Sequence, residues 1–102
     1  MSADPSLVAP LDLSELVRGG VAEVLMVRPE SIGEKTALVA DLGAESLDFL
    51  DMVFRLEQAL GKRIPVARWG QFVAERLPGQ DLSVAITAGV VREFAEREAV
   101  AR

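Results

Sequence analysis

Between Ser46 and Leu60, apolar side chains return at helical spacing: Leu47, Leu50, Val53, Phe54, Leu56 and Leu60. This predicts a helix over 46–60 with one wide apolar face. Gly61 follows the last periodic residue, as a C-cap glycine does, and Pro65 blocks continuation. The rest of the chain has the same character. Half of its residues are hydrophobic, but there are only four Phe, one Trp and no Tyr, so an aliphatic core is expected. With 102 residues the chain is one small domain with a single core.

Three further helices are expected. Asp12 can cap the first, with Glu15 closing a capping box and Leu11 and Leu16 in the staple positions. Leu13, Leu16, Val17, Val21, Val24 and Leu25 continue the pattern. Gly19 and Gly20 sit inside it, at about 1 kcal/mol each relative to Ala. Arg28 precedes Pro29, so this helix should end near Val27. Residues 28–42 read as a long loop, pinned to the core by Ile32, Leu38 and Val39. A short helix is predicted over Val66–Leu77, burying Trp69, Phe72, Val73 and Leu77, before Pro78-Gly79. Ser83 can cap a last helix that turns Ile86, Val90, Val91 and Phe94 inward, fraying from Glu93 to Arg102. No convincing strand is present. The reading is an all-α, four-helix bundle with a long loop between helices 1 and 2 and a short third helix. Residues 1–10 form an irregular lead, 11–98 the domain and 99–102 a frayed tail.

Several classes of chemistry are excluded. With neither Cys nor His, there is no disulfide framework, thiol nucleophile, Cys/His metal site or imidazole acid-base pair. The start, Met1-Ser2-Ala3-Asp4-Pro5, has no basic or apolar lead, so no secretion signal is expected. No apolar run approaches the roughly 20 residues that span a bilayer. The simplest location is the cytoplasm. A net charge of −5 disfavours nucleic acid. The charge is uneven: residues 41–57 hold Asp41, Glu45, Asp48, Asp51 and Glu57 against Arg55 alone. Residues 62–76 reverse it, with Lys62, Arg63, Arg68 and Arg76 against Glu75. The acidic stretch suits docking to basic protein surfaces.

Ser46 stands at the mouth of the 46–60 helix, within Asp41-Leu42-Gly43-Ala44-Glu45-Ser46-Leu47-Asp48. It has no histidine base and no Gly-x-Ser-x-Gly elbow, which argues against self-contained hydrolysis. From position alone it is an N-cap, worth about 1 kcal/mol over Ala. The segment also resembles the phosphopantetheine attachment motif of acyl carrier proteins, D-L-G-x-D/E-S-L-D/E. The resemblance extends from about Leu13 to Ala95 and includes the long loop and Ile64-Pro65. It implies that a separate pantetheinyl transferase esterifies Ser46 with 4′-phosphopantetheine, on which acyl chains ride as thioesters. A helix N-terminus favours such a phosphodiester on physical grounds.

The resemblance further implies a carrier that is not itself an enzyme. It acts as a monomer with ketosynthases, acyltransferases and other acyl-processing enzymes. Asp41, Glu45, Leu47, Asp48 and Asp51 would present the site to these partners. Glu45 and Asp48 are also ordinary first-turn acids, and both readings can hold. Leu50, Val53, Phe54 and Trp69 are acyl-pocket candidates, Met52 and Phe54 reading as core or pocket lining. The basic segment with Trp69 departs from common fatty-acid carriers. It is more similar to specialised carriers of very long chain fatty acids for lipid A, and is where cargo or partner choice is expected to be encoded. Trp69 reads first as a core anchor. The alternatives are a polyketide or secondary-metabolite carrier, and a helical interaction module without a prosthetic group.

Overall fold

Asp12 starts the first helix, α1 (Leu13–Leu25), in the computed structural model, which describes residues 12–101. Its Oδ1 accepts from the Glu15 N–H at 3.2 Å, satisfying one of the donors a helix start leaves bare. The reciprocal half of the expected capping box is absent among the described residues; the Glu15 carboxylate pairs with Arg18 at 3.2 Å. Leu11 of the expected staple, and the irregular lead over 1–10, lie outside the described residues. Helix α1 passes through Gly19 and Gly20 and closes at Met26, in a left-handed conformation with φ 58°.

Helix α2 (Ser46–Leu60) has the predicted bounds, and Gly61 closes it with φ 64°. Pro65 then starts α3 (Val66–Arg76). Trp69 stacks on Phe49 with ring centroids 5.6 Å apart and meets Phe94 edge-on at 5.2 Å. Phe72 completes the cluster, 5.4 Å from Phe94. The core is therefore not purely aliphatic. Four of the five aromatic rings gather where α2, α3 and the last helix meet, around an otherwise Val/Leu/Ile/Ala interior.

The chain after Pro78 differs from the single helix expected there. A short turn, α4 (Leu82–Ala85), is capped by Asp81, and α5 (Ala88–Val100) is capped by Thr87, whose Oγ1 accepts from the Val90 N–H at 3.2 Å. Ser83 is not the cap; its Oγ donates to Asp81 Oδ1 at 2.7 Å. The helix breaks because residues 86–87 serve the long loop instead. Ile86 is buried, and its carbonyl accepts from the Leu38 N–H at 3.0 Å. Ala37 and Thr87 form an isolated antiparallel bridge. Among the described residues the bundle thus has five α-helices, and α5 runs to Val100 rather than fraying from Glu93.

Loop 28–45 packs back onto the bundle. Its buried Ile32, Ala37, Leu38 and Ala44 anchor it, and Val39 packs against the core. Its carbonyls also finish α5: the Ala88 N–H donates to Thr36 O at 3.1 Å and the Gly89 N–H to Glu34 O at 2.9 Å. Those are donors that a helix start cannot satisfy internally. The loop and α5 hold each other, and the loop delivers Ser46 to the head of α2.

Candidate functional site

Gly43, with φ 74°, turns the loop toward α2. Ala44 is buried behind the turn, and its N–H donates to Leu38 O at 2.9 Å. The next residues are thrown outward, so Glu45, Ser46 and Leu47 are all exposed. Glu45, in an extended conformation, is the N-cap. Its N–H donates to Asp48 Oδ2 at 2.8 Å. Ser46 is therefore the first helical residue and not the cap expected from its position. Its hydroxyl has no hydrogen-bond partner among the described residues, and neither do the N–H groups of Ser46 and Leu47.

The acids expected to frame this hydroxyl have different duties. Asp41 sits in the loop, where its Oδ2 accepts from the Ala37 N–H at 2.9 Å. Asp48 is engaged with the cap. Asp51, one turn further, lies 3.5 Å from Arg55. Glu45, Ser46, Leu47 and Asp48 share the helix mouth, whereas Asp41 supports it from behind.

The apolar side of α2 is split in two. Phe49, Met52, Val53 and Leu56 point into the core, while Leu47, Leu50 and Phe54 are 73%, 40% and 57% exposed. The second set is spaced i, i+3, i+7, so it forms a surface stripe beginning beside Ser46. Sequence reading merged the two sets. Adding Phe49 and Met52 to the periodic pattern separates them, because 49, 52, 53, 56 and 60 form the more complete helical stripe. The four acyl-pocket candidates are not gathered into one cavity. Val53 is in the core, Trp69 in the aromatic cluster, and Leu50 at the surface. Phe54 lines an open groove of about 570 Å³ between α1 and α2.

The basic segment is not a free patch either. Arg68 bonds Glu98 at 2.9 Å and Arg76 bonds Glu93 at 2.8 Å. Lys62 Nζ donates to the carbonyls of Glu98 and Ala101, both at 2.7 Å. Three of its four cations staple the α2–α3 region to α5. That pairing is long-range, so local charge counting gave no sign of it.

An exposed, unengaged hydroxyl on the first residue of a helix, with two outward N–H groups beside it, fits an attached phosphodiester. Among the described residues no cluster of acids could hold a metal ion, and no helix is long and apolar enough to cross a membrane. The chain is 37% identical over 65 residues to the acyl carrier protein AcpXL of Brucella melitensis, covering 63% of this chain and 70% of that one. Residues 15–68, more than half its length, match the family model of the phosphopantetheine attachment site. The chain belongs to the acyl carrier protein family. Another relative, the acyl carrier protein AcpXL of Rhizobium meliloti, is 40% identical over 55 residues, covering 54% of this chain and 58% of that one. The acyl carrier protein of Campylobacter hominis is 38% identical over 55 residues, covering 54% of this chain and 70% of its own. In this acyl carrier protein the matched segment runs from α1 into α3 and includes the whole of loop 28–45 and α2.

Proposed function

We propose that Ser46 is the attachment point for 4′-phosphopantetheine, and that the protein carries long acyl chains for lipid A or related lipid synthesis. The attachment reading rests on one observation. The Glu45–Asp48 bond caps α2, which leaves the Ser46 hydroxyl exposed and uncommitted at the helix start, inside the matched segment. The Ser46 and Leu47 N–H groups and the helix dipole would hold the phosphate. The bound group supplies the thiol that bears the acyl chain. With no cysteine, the polypeptide brings no thiol of its own, and in this reading it acts as a carrier rather than an enzyme.

The long-chain reading is supported by the relatives named AcpXL. Partners are a pantetheinyl transferase and acyl-processing enzymes in the cytoplasm, meeting the protein as a monomer. Glu45 and Asp48 at the helix mouth, Asp51 one turn on, and Leu47 between them would form the docking face. The Leu50 and Phe54 side chains extend it. Asp41 contributes by holding the loop behind Ser46.

Incubation with coenzyme A and a pantetheinyl transferase, followed by intact mass measurement, tests the attachment. The wild type should gain one phosphopantetheine and Ser46→Ala none. A wild type that gains nothing, or a Ser46→Ala variant that gains as much, would overturn it. The intact mass of protein taken from its native cell would then reveal the chain it carries.

A further inference from the structure

Past the helix mouth, the acid on the exposed flank of α2 is opposed by a cation of the same helix. Asp51 and Arg55 are spaced i, i+4, so they are neighbours on the helix surface, and Arg55 Nε lies 3.5 Å from Asp51 Oδ1. The same guanidinium reaches across to α1, where its Nη1 donates to Glu23 Oε1. Gln58, next along that flank, is neutral. Glu57 is half-buried and committed elsewhere: its Oε2 accepts from the Ile64 N–H at 2.7 Å. By contrast, Glu45 and Asp48 belong to no ion pair among the described residues.

Asp51 and Arg55 are both exposed, so their pairing adds little to stability. Its effect is on the field that an approaching surface meets. A carboxylate and a guanidinium 3.5 Å apart act at a distance as a dipole, and their opposite Coulomb energies nearly cancel. Salt screens what remains within about 8 Å at physiological ionic strength. Along the α2 axis Asp51 stands about 8 Å and Arg55 about 14 Å beyond Ser46. A partner's cation held over the helix mouth is therefore attracted by Glu45 and Asp48. One held over the second or third turn meets Asp51 and Arg55 together.

We infer, resting on the docking role proposed for α2, that Arg55 is a specificity-determining residue. It silences Asp51, so that partners are selected by cations placed over the mouth of α2 and by apolar contact with Leu47, Leu50 and Phe54 beyond it. The docking face is thereby graded: Glu45 and Asp48 attract fully, and Asp51 only as far as Arg55 allows. A partner whose basic patch runs the length of the helix is disfavoured, because Arg55 stands against it.

A double-mutant cycle read on KM tests this. A pantetheinyl transferase with coenzyme A loads the full chain, and its KM for the unloaded protein is measured at low and physiological salt. The set is wild type, Asp51→Asn, Arg55→Gln and the double variant, each checked for helicity by circular dichroism because Arg55 also ties α1 to α2. Arg55→Gln should lower KM about threefold with kcat kept, and KM should then rise more steeply with salt. Asp51→Asn should raise KM several times more in the Arg55→Gln background than in the wild type. Arg55→Lys, which keeps the cation, should bring KM back toward the wild-type value. An effect of Asp51→Asn that is equal in the two backgrounds would overturn the inference, as would an Arg55→Gln variant whose KM is unchanged or raised. Glu45→Gln separates this from the reading beneath it, since it should raise KM about fivefold. If it loads with KM unmoved, α2 does not dock by charge, and the docking face fails together with the inference. A wild type that takes up no phosphopantetheine overturns the attachment itself before any KM is measured, and the role of Arg55 with it.

Discussion

Arg68 Nη1 donates to Glu98 Oε1 at 2.9 Å across the seam between α3 and α5. Glu98 is only 4% exposed, and it is the one charged residue buried among those described. Lys62 lies 3.9 Å from the same oxygen. The pair ties α3 to the last turns of α5. Glu98→Ala leaves both cations without their anion. It should lower stability by about 2 kcal/mol, the scale of a lost charge-assisted hydrogen bond. Glu98→Gln, which keeps an acceptor, should lose less. Urea unfolding followed by circular dichroism measures both, and an unchanged midpoint in Glu98→Ala would show that the seam is held by apolar contacts alone.

Two glycines should respond oppositely to alanine. A Cβ on Gly89 would stand 3.0 Å from Glu34 O, the carbonyl that its own N–H bonds. A Cβ on Gly70 would meet nothing within 4 Å. Both are helical, so propensity alone favours alanine by about 1 kcal/mol. Gly70→Ala should show that gain. Gly89→Ala should be destabilised by about 1 kcal/mol through overpacking against the loop. Thermal unfolding of the two variants side by side decides it, and equal gains would mean the loop yields freely.

Ser46→Ala should leave stability within about 0.5 kcal/mol of the wild type, because Ser46 is not the cap of α2. Asp48→Ala should cost about 1 kcal/mol, since the Glu45 N–H loses its acceptor. If the two costs came out reversed in urea titrations of the unloaded protein, the capping described for this helix would be wrong.

Acid should weaken the grip of the loop on α5. The Arg92 hydrogen bond holds the Glu34 carboxyl below its ordinary value of 4.5, and Arg76 does the same to Glu93. A carboxyl depressed in the folded state contributes stability above its unfolded pKa. That contribution is lost as pH falls below about 4.5 and through the folded pKa. Arg92 is correspondingly raised, outside any working range of pH. Since the Glu34 side chain is 60% exposed, the effect should be small and reduced by salt. Glu34→Gln should flatten the fall in urea midpoint between pH 6 and pH 3; an unchanged slope would remove this pair from the account.

The helices were legible wherever sequence neighbours decide them. The bounds of α2 follow from Gly61 and Pro65, and the first cap from Asp12. The Asp41–Asp48 motif lies inside the segment 15–68 that the family model matches. What stayed hidden depends on distant pairing. Ser83 is a good cap in isolation, yet the chain breaks at Ile86 and Thr87 because the loop needs their backbone. Lys62, Arg68 and Arg76 looked like a surface patch until α5 folded back with Glu98 and Glu93. Ser46 looked like a cap because Glu45 is a less common one, and only the Asp48 side chain reaching back makes it so. The surface stripe of Leu47, Leu50 and Phe54 was hidden because one helix carries two apolar faces with different destinations.

The single tryptophan sits half-buried at the junction of α2, α3 and α5, its ring centroid 5.2 Å from that of Phe94, 5.6 Å from Phe49 and 6.2 Å from Phe72. The protein is thus supplied with its own fluorescent label, placed where the helices join. Cargo lying in the α1–α2 groove should leave the indole spectrum untouched, and cargo entering between α2 and α3 should change its colour. One emission scan on loading would distinguish the two routes without altering a residue.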